Sequence, residues 1–242
     1  MKTASVLFLD IINLMSQLLG DEASTIIFNH YINAVSIFLS KTKLNISNTS
    51  SINDYTENRK FSTGCIPYMN LQYFMYGFES NISPQEIVGF LNKYHSQIMR
   101  LEENSNIISG FYDDMMAVVK DKFEDVANIV YVLQNLHPDK DIYQCVELSH
   151  SIIEDYISQL NDRLSSLEKN IDSGELPILN IIRKSLVKNI YGVIYFRFHV
   201  KKRYLLDNEL VIIYNSTQEN KKELFLQKYN NFINKTIESP LM

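Results

Sequence analysis

The residues of this chain with the clearest chemical capacity are its aspartates, above all the adjacent pair Asp113-Asp114. Two apolar runs flank the pair, Ile107–Tyr112 and Met115–Lys120, and both read as strands. Two carboxylates at the tip of such a hairpin could hold magnesium against a phosphate, because magnesium takes one or two carboxylates together with substrate oxygens. The plain alternative is a polar turn. A third acid, Asp10, follows Phe8-Leu9. The second set is basic: Arg197, His199, Lys201 and Arg203 alternate in sequence and so share one face of a strand. That row suits a phosphate or an acidic protein surface; a solvated outer face is the plain alternative. His95 and His137 read as solvated or satisfied side chains. No Ser/His/Asp or Cys/His arrangement and no phosphate-cradling glycine loop stands out.

The elements that must position these groups are legible from periodicity. Leu7, Ile11, Leu14 and Leu18 fall on one helical stripe, Gly20 is a natural C-cap, and Asp21-Glu22 opens a second amphipathic run. Residues 1–41 are expected to form a helical hairpin, with a strand over residues 7–11 as the alternative. Residues 42–64 are rich in Ser, Thr and Asn and read as a polar linker or long surface loop. Ile66–Phe78 is apolar and aromatic and reads as a buried strand. Ser83-Pro84-Gln85-Glu86 is a helix start with a cap, a proline in the first position and a capping box. Helices are expected over 124–136, 142–170, 178–188 and 219–236, and a hairpin over 190–214, where Ile194, Phe196, Phe198 and Val200 alternate with polar positions. The resulting expectation is an α/β (α+β) domain over residues 65–242, a mostly antiparallel sheet with packed helices and a ferredoxin-like core, carrying a helical insertion at about 140–188.

Composition bounds the function classes. The 242 residues are 45% hydrophobic, 12% aromatic and 21% charged, ample for a packed core. The net charge of -5 gives no electrostatic case for nucleic acid. Two cysteines, Cys65 and Cys145, signal neither a disulfide framework nor a thiolate zinc site. No apolar run reaches the roughly 20 residues needed to span a bilayer, and Asp10 interrupts the N-terminal run too early for a signal peptide. A cytoplasmic protein is expected.

Between Gly77 and Leu136 the order of residues resembles the catalytic domain of class III adenylate and guanylate cyclases. Gly77-Phe78-Glu79-Ser80, Ser83-Pro84-Gln85-Glu86, Leu91-Asn92-Lys93-Tyr94 and Tyr112-Asp113-Asp114-Met115-Met116-Ala117-Val118-Val119 follow that family's motifs in order. Asp113 matches its second metal ligand, whereas Phe74 stands at the first and Tyr112 replaces the hairpin glycine. The resemblance implies a cyclase-like fold with its catalysis lost, needing no cofactor and serving as a dimerisation, regulatory or protein-interaction module. Its partner would be another protein or a second copy, and nucleotide binding is not expected. Two alternatives stand beside it: a divergent magnesium-dependent cyclase using Asp113 and Asp10, and an α/β scaffold subunit of a larger assembly such as a trafficking complex.

Overall fold

The computed structural model describes residues 13–40, 51–62, 65–123 and 126–199. Among them every regular element is helical: α1 (13–19), α2 (Asp21–Ser40), α3 (Ile52–Ser62), α4 (Cys65–Glu79), α5 (Pro84–Lys93), α6 (His95–Phe123), α7 (Ile129–Leu136), α8 (Ile142–Glu168), a 3₁₀ turn (Ser173–Glu175) and α9 (Leu176–His199). The expected α/β sheet is therefore overturned. Ile66–Phe78 lies in α4, both runs flanking Asp113-Asp114 lie inside α6, and α9 continues through the first part of the expected hairpin at 190–214. Residues 200–242 lie outside the described residues, as does the strand alternative at 7–11.

Each misreading has a physical cause. In α4, Met69, Asn70, Tyr73, Phe74 and Gly77 are buried at helical spacing, but Tyr68, Met75 and Phe78 on the other side are apolar and exposed. An apolar run on both faces hides the 3.6-residue period and reads as a strand. In α6, every residue from Leu101 to Val118 is buried except Glu103 and Asp113. A helix enclosed nearly all round shows no polar stripe from which its period could be read. In α9, Ile182, Leu186, Ile190 and Ile194 bury a stripe four residues apart, which the local alternation after Ile194 obscures.

The strongest local signals fold as they read. Ser83 caps α5: its hydroxyl accepts from the Glu86 amide at 3.3 Å, and Glu86 Oε2 accepts from the Ser83 amide at 2.8 Å. Gly20 has φ +84°, a conformation open to glycine at no steric cost, and separates α1 from α2. Residues 52–62, expected within a polar loop, instead form α3 and bury Tyr55 and Thr56.

The chain divides into two compact units: residues 1–42, 58–107 and 156–189 make one, and residues 43–57, 108–155 and 190–242 the other. In the first unit α2 packs on α4 and α5. The Ile87 side chain occupies the space that a Cβ on Gly77 would need, so α4 and α5 approach closely. The N-terminal half of α6 is held by Arg163 of α8, which donates to the Arg100 carbonyl at 3.1 Å and to Asn104 Oδ1 at 2.8 Å. Ser105 donates to the Leu186 carbonyl of α9 at 3.2 Å. Lys93, at the end of α5, reaches Glu175 at 2.9 Å and Asp172 at 3.3 Å. The second unit is built around the C-terminal half of α6 with α3 and α7. No helix among the described residues is long and apolar enough to cross a membrane.

Replacing Ser83 with Ala removes the cap from α5 and is expected to lower the free energy of unfolding by about 1 kcal/mol. The urea midpoint should fall while the slope of the transition stays unchanged.

Candidate functional site

Asp113 and Asp114 sit in the middle of α6, not at a turn, and consecutive helical positions send them in directions about 100° apart. Asp114 is fully buried. Its Oδ2 accepts from the Tyr55 hydroxyl of α3 and, at 3.2 Å, from the Ile129 amide that begins α7. The Tyr55 hydroxyl also lies 3.2 Å from the Ala127 carbonyl. Asn128 completes the arrangement as the N-cap of α7. Its Oδ1 accepts from the Val130 amide at 3.0 Å, and its Nδ2 donates to the Asp114 carbonyl at 2.7 Å and to Asp121 Oδ2 at 2.8 Å. Asp114 and Asp121 are seven residues apart, close to two helical turns, so one face of α6 presents both acids to the start of α7. The first amides of a helix lack intrahelical acceptors and favour nearby negative charge; Asp114 and Asn128 both supply acceptor oxygens, and Asp114 the charge. Tyr131 adds a bond from α7 back to the Val118 carbonyl at 2.7 Å. Asp114 is thus committed to structure. Asp113 is half-buried on a different face.

The first unit contains a second buried acid that the sequence reading passed over. Glu102 on α6 is 2% exposed, and its Oε1 accepts from Asn70 Nδ2 and from the Tyr73 hydroxyl of α4, each at 3.0 Å. Burial pushes its carboxyl up to about 7, against the opposing pull of those two hydrogen bonds and with a smaller push from Glu103. Tyr73, fully buried beside it, is held well above the usual tyrosine range by burial first and by Glu102 second, so it keeps its proton and donates. A tyrosine and a glutamate 29 residues apart, in different helices, leave no local sequence signal. The available cue was polar residues recurring on otherwise apolar helices.

Of the other residues singled out from sequence, Phe74 is 1% exposed and packs inside α4's buried face, with no metal position about it. His95 is exposed near the start of α6, and His137 follows α7 as its C-cap. Arg197 and His199 fall in the last turn of α9 rather than on a strand, so the even spacing that put them on one face no longer does so. Lys201, Arg203 and Asp10 lie outside the described residues.

The helical fold of the described residues, with no strand among them, excludes the cyclase domain, which requires a sheet. The sequence description of terpene synthase family 2, C-terminal metal binding, matches residues 1–159 of the 242. The chain belongs to that family. No curated protein and no solved structure matches the chain significantly. The family corrects the resemblance to class III cyclases, the expected catalytically degenerate regulatory module and the scaffold alternative drawn with an α/β fold. It also corrects the expectation of no cofactor, because a metal-binding family implies a divalent metal, in keeping with magnesium.

Whether these residues fit a metal can be tested on the geometry. Among the described residues no three His, Cys, Asp or Glu side chains converge as metal ligands. Asp114 and Asp121 are occupied by Tyr55, Asn128 and the Ile129 amide. The described residues alone therefore do not make a metal centre.

Tyr55→Phe is expected to lower stability by about 1–3 kcal/mol, since it removes a donor from a buried carboxylate. Chemical denaturation of the two proteins side by side checks this. Glu102 gives a pH dependence of opposite sense to that of an ordinary carboxylate. Its folded value of about 7 exceeds the 4.5 of the unfolded chain, so between those limits the folded state binds more protons. Its stabilising contribution is complete below about pH 4.5 and is lost as pH rises toward 7, by about 3 kcal/mol. Glu102→Gln should flatten that segment of the stability–pH curve.

Proposed function

We propose that the chain is a terpene synthase-like enzyme, forming a terpene from an isoprenoid diphosphate in a metal-dependent reaction. The observation that carries this reading is the family match over residues 1–159, joined by an all-helical fold of the described residues. Isoprenoid diphosphates react by loss of an anionic leaving group. A divalent metal, when bound, supplies Lewis-acid stabilisation of that leaving charge.

The chain's own residues divide the remaining tasks. Asp113 and Asp10 are assigned as metal-holding carboxylates, Asp113 from the middle of α6 and Asp10 from the N-terminal segment. Asp114 positions Asp113 rather than binding metal: anchored to Tyr55 and the start of α7, it fixes the rotation of α6 and so the direction its neighbour faces. Arg197, His199, Lys201 and Arg203 are assigned to the diphosphate, since basic residues close together in sequence suit the anion that such a reaction releases. Apolar side chains supplied by the helices suit the hydrocarbon portion, which must be kept from water while it carries positive charge. A cytoplasmic location fits two cysteines, Cys65 and Cys145, that form no disulfide, and the lack of a spanning helix among the described residues.

The test is incubation of the purified chain with magnesium and isoprenoid diphosphates of several chain lengths, following both inorganic diphosphate and extractable hydrocarbon. Product should form and should vanish with chelator. Asp113→Ala is expected to lower kcat/KM by on the order of 10²-fold or more while leaving the unfolding midpoint near that of the native chain. Asp114→Asn should instead lose stability first. Hydrocarbon formation that survives both Asp113→Ala and Asp10→Ala would remove these two acids from the reaction.

A further inference from the structure

Within the first unit, α2, α4, α5 and α6 enclose a cavity of about 140 Å³ whose floor is Glu102 and Asn70 and whose rim includes Asn92 and His95. Ile26, Leu91 and Ile98 make its walls apolar. An apolar cavity of about 150 Å³ accommodates a six-carbon ring, so this one admits a ligand of roughly six heavy atoms. The floor is unusual. Glu102 Oε1 is saturated by Asn70 and Tyr73, whereas Oε2 makes no hydrogen bond among the described residues, although the side chain is 98% buried (2% exposed). Glu102 lines the cavity, so a cation entering it can supply the partner that Oε2 lacks.

We propose that this cavity is a binding site for a small protonated amine, its ammonium group against Glu102 Oε2 and its short hydrocarbon tail against Ile26, Leu91 and Ile98. Asn70 Nδ2 and the Tyr73 hydroxyl hold the carboxylate in place, fixing Oε1 so that Oε2 stays directed to the ligand. An anion is disfavoured by the same acid, and a neutral alcohol of equal length leaves the charge uncompensated. The titratable groups around Glu102 are Tyr73 on α4 and Glu103 and His95 on its own helix. Of these, Tyr73 stays neutral, Glu103 favours a bound cation, and a protonated His95 opposes one. Because Glu102 titrates at about 7, the ligand meets an ionised acid at pH 8 and a mostly protonated one at pH 6. Affinity should therefore fall by about tenfold between those values. This site is independent of the diphosphate reaction and is read by binding alone.

The experiment is calorimetric titration of the full chain with n-butylammonium at pH 8, with 1-butanol as the neutral counterpart. Butylammonium is expected to bind, with butanol at least tenfold weaker and with about tenfold weaker butylammonium binding at pH 6. Glu102→Gln should reduce the amine affinity at least tenfold. Should that variant fail to fold, Asn92→Trp at the exposed rim decides instead, because a bulky ring there closes the mouth without touching the buried acid. Absence of butylammonium binding, equal binding of butanol, or amine binding unchanged in Glu102→Gln or Asn92→Trp overturns the proposal.

Discussion

A helical stretch with almost no solvated face must find partners for its own polar side chains inside the protein, and α6 from Leu101 to Val118 lives under that constraint. Between Leu101 and Asp121 it buries Glu102, Asn104, Ser105, Asn106, Ser109, Asp114 and Asp121. An unmet buried polar group costs about 1–3 kcal/mol, so each becomes a point where a neighbouring helix must arrive in one register only. Arg163 answers Asn104, the Lys60 carbonyl answers Asn106, Asn70 and Tyr73 answer Glu102, and Tyr55 with the start of α7 answers Asp114. Apolar packing alone tolerates sliding by a fraction of a turn; these bonds do not. The polar residues of α6 thus specify the neighbours that its hydrophobic residues merely attract.

The same constraint separates the two aspartates that the sequence presents as a matched pair. Adjacent positions on a helix face different surroundings, so Asp114 meets Tyr55 and an amide terminus while Asp113 remains half-buried. A turn would have left both at one tip and interchangeable. On a helix the two acids have separate surroundings, and only Asp114 is tied to the start of α7.

How much of this was legible in sequence depended on where the signals come from. The α5 start at Ser83-Pro84 was readable because capping is local, decided within four residues. The amphipathic α8 was readable because one of its faces stays in water. α4 and the buried half of α6 were not, because burial erases the polar stripe that marks helical period, and β-branched and aromatic residues then imitate a strand. That single error turned a helix interior into a hairpin tip and a helical protein into an α/β one. Glu102 was invisible because its partners, Asn70 and Tyr73, lie about thirty residues upstream, a distance no local pattern spans.

Each of the two compact units is stitched from three separated stretches of chain, the first closing only with residues 156–189. During synthesis from the N-terminus, neither unit has all of its parts until most of the polypeptide has left the ribosome. Contacts so remote in sequence require long loops to close before they are rewarded, which slows folding and prolongs exposure of apolar surface. The apolar outer face of α4, with Tyr68, Met75 and Phe78, is made early in that interval. Nascent chains of this protein should therefore lean on chaperones more than a helical protein of local topology and equal length would.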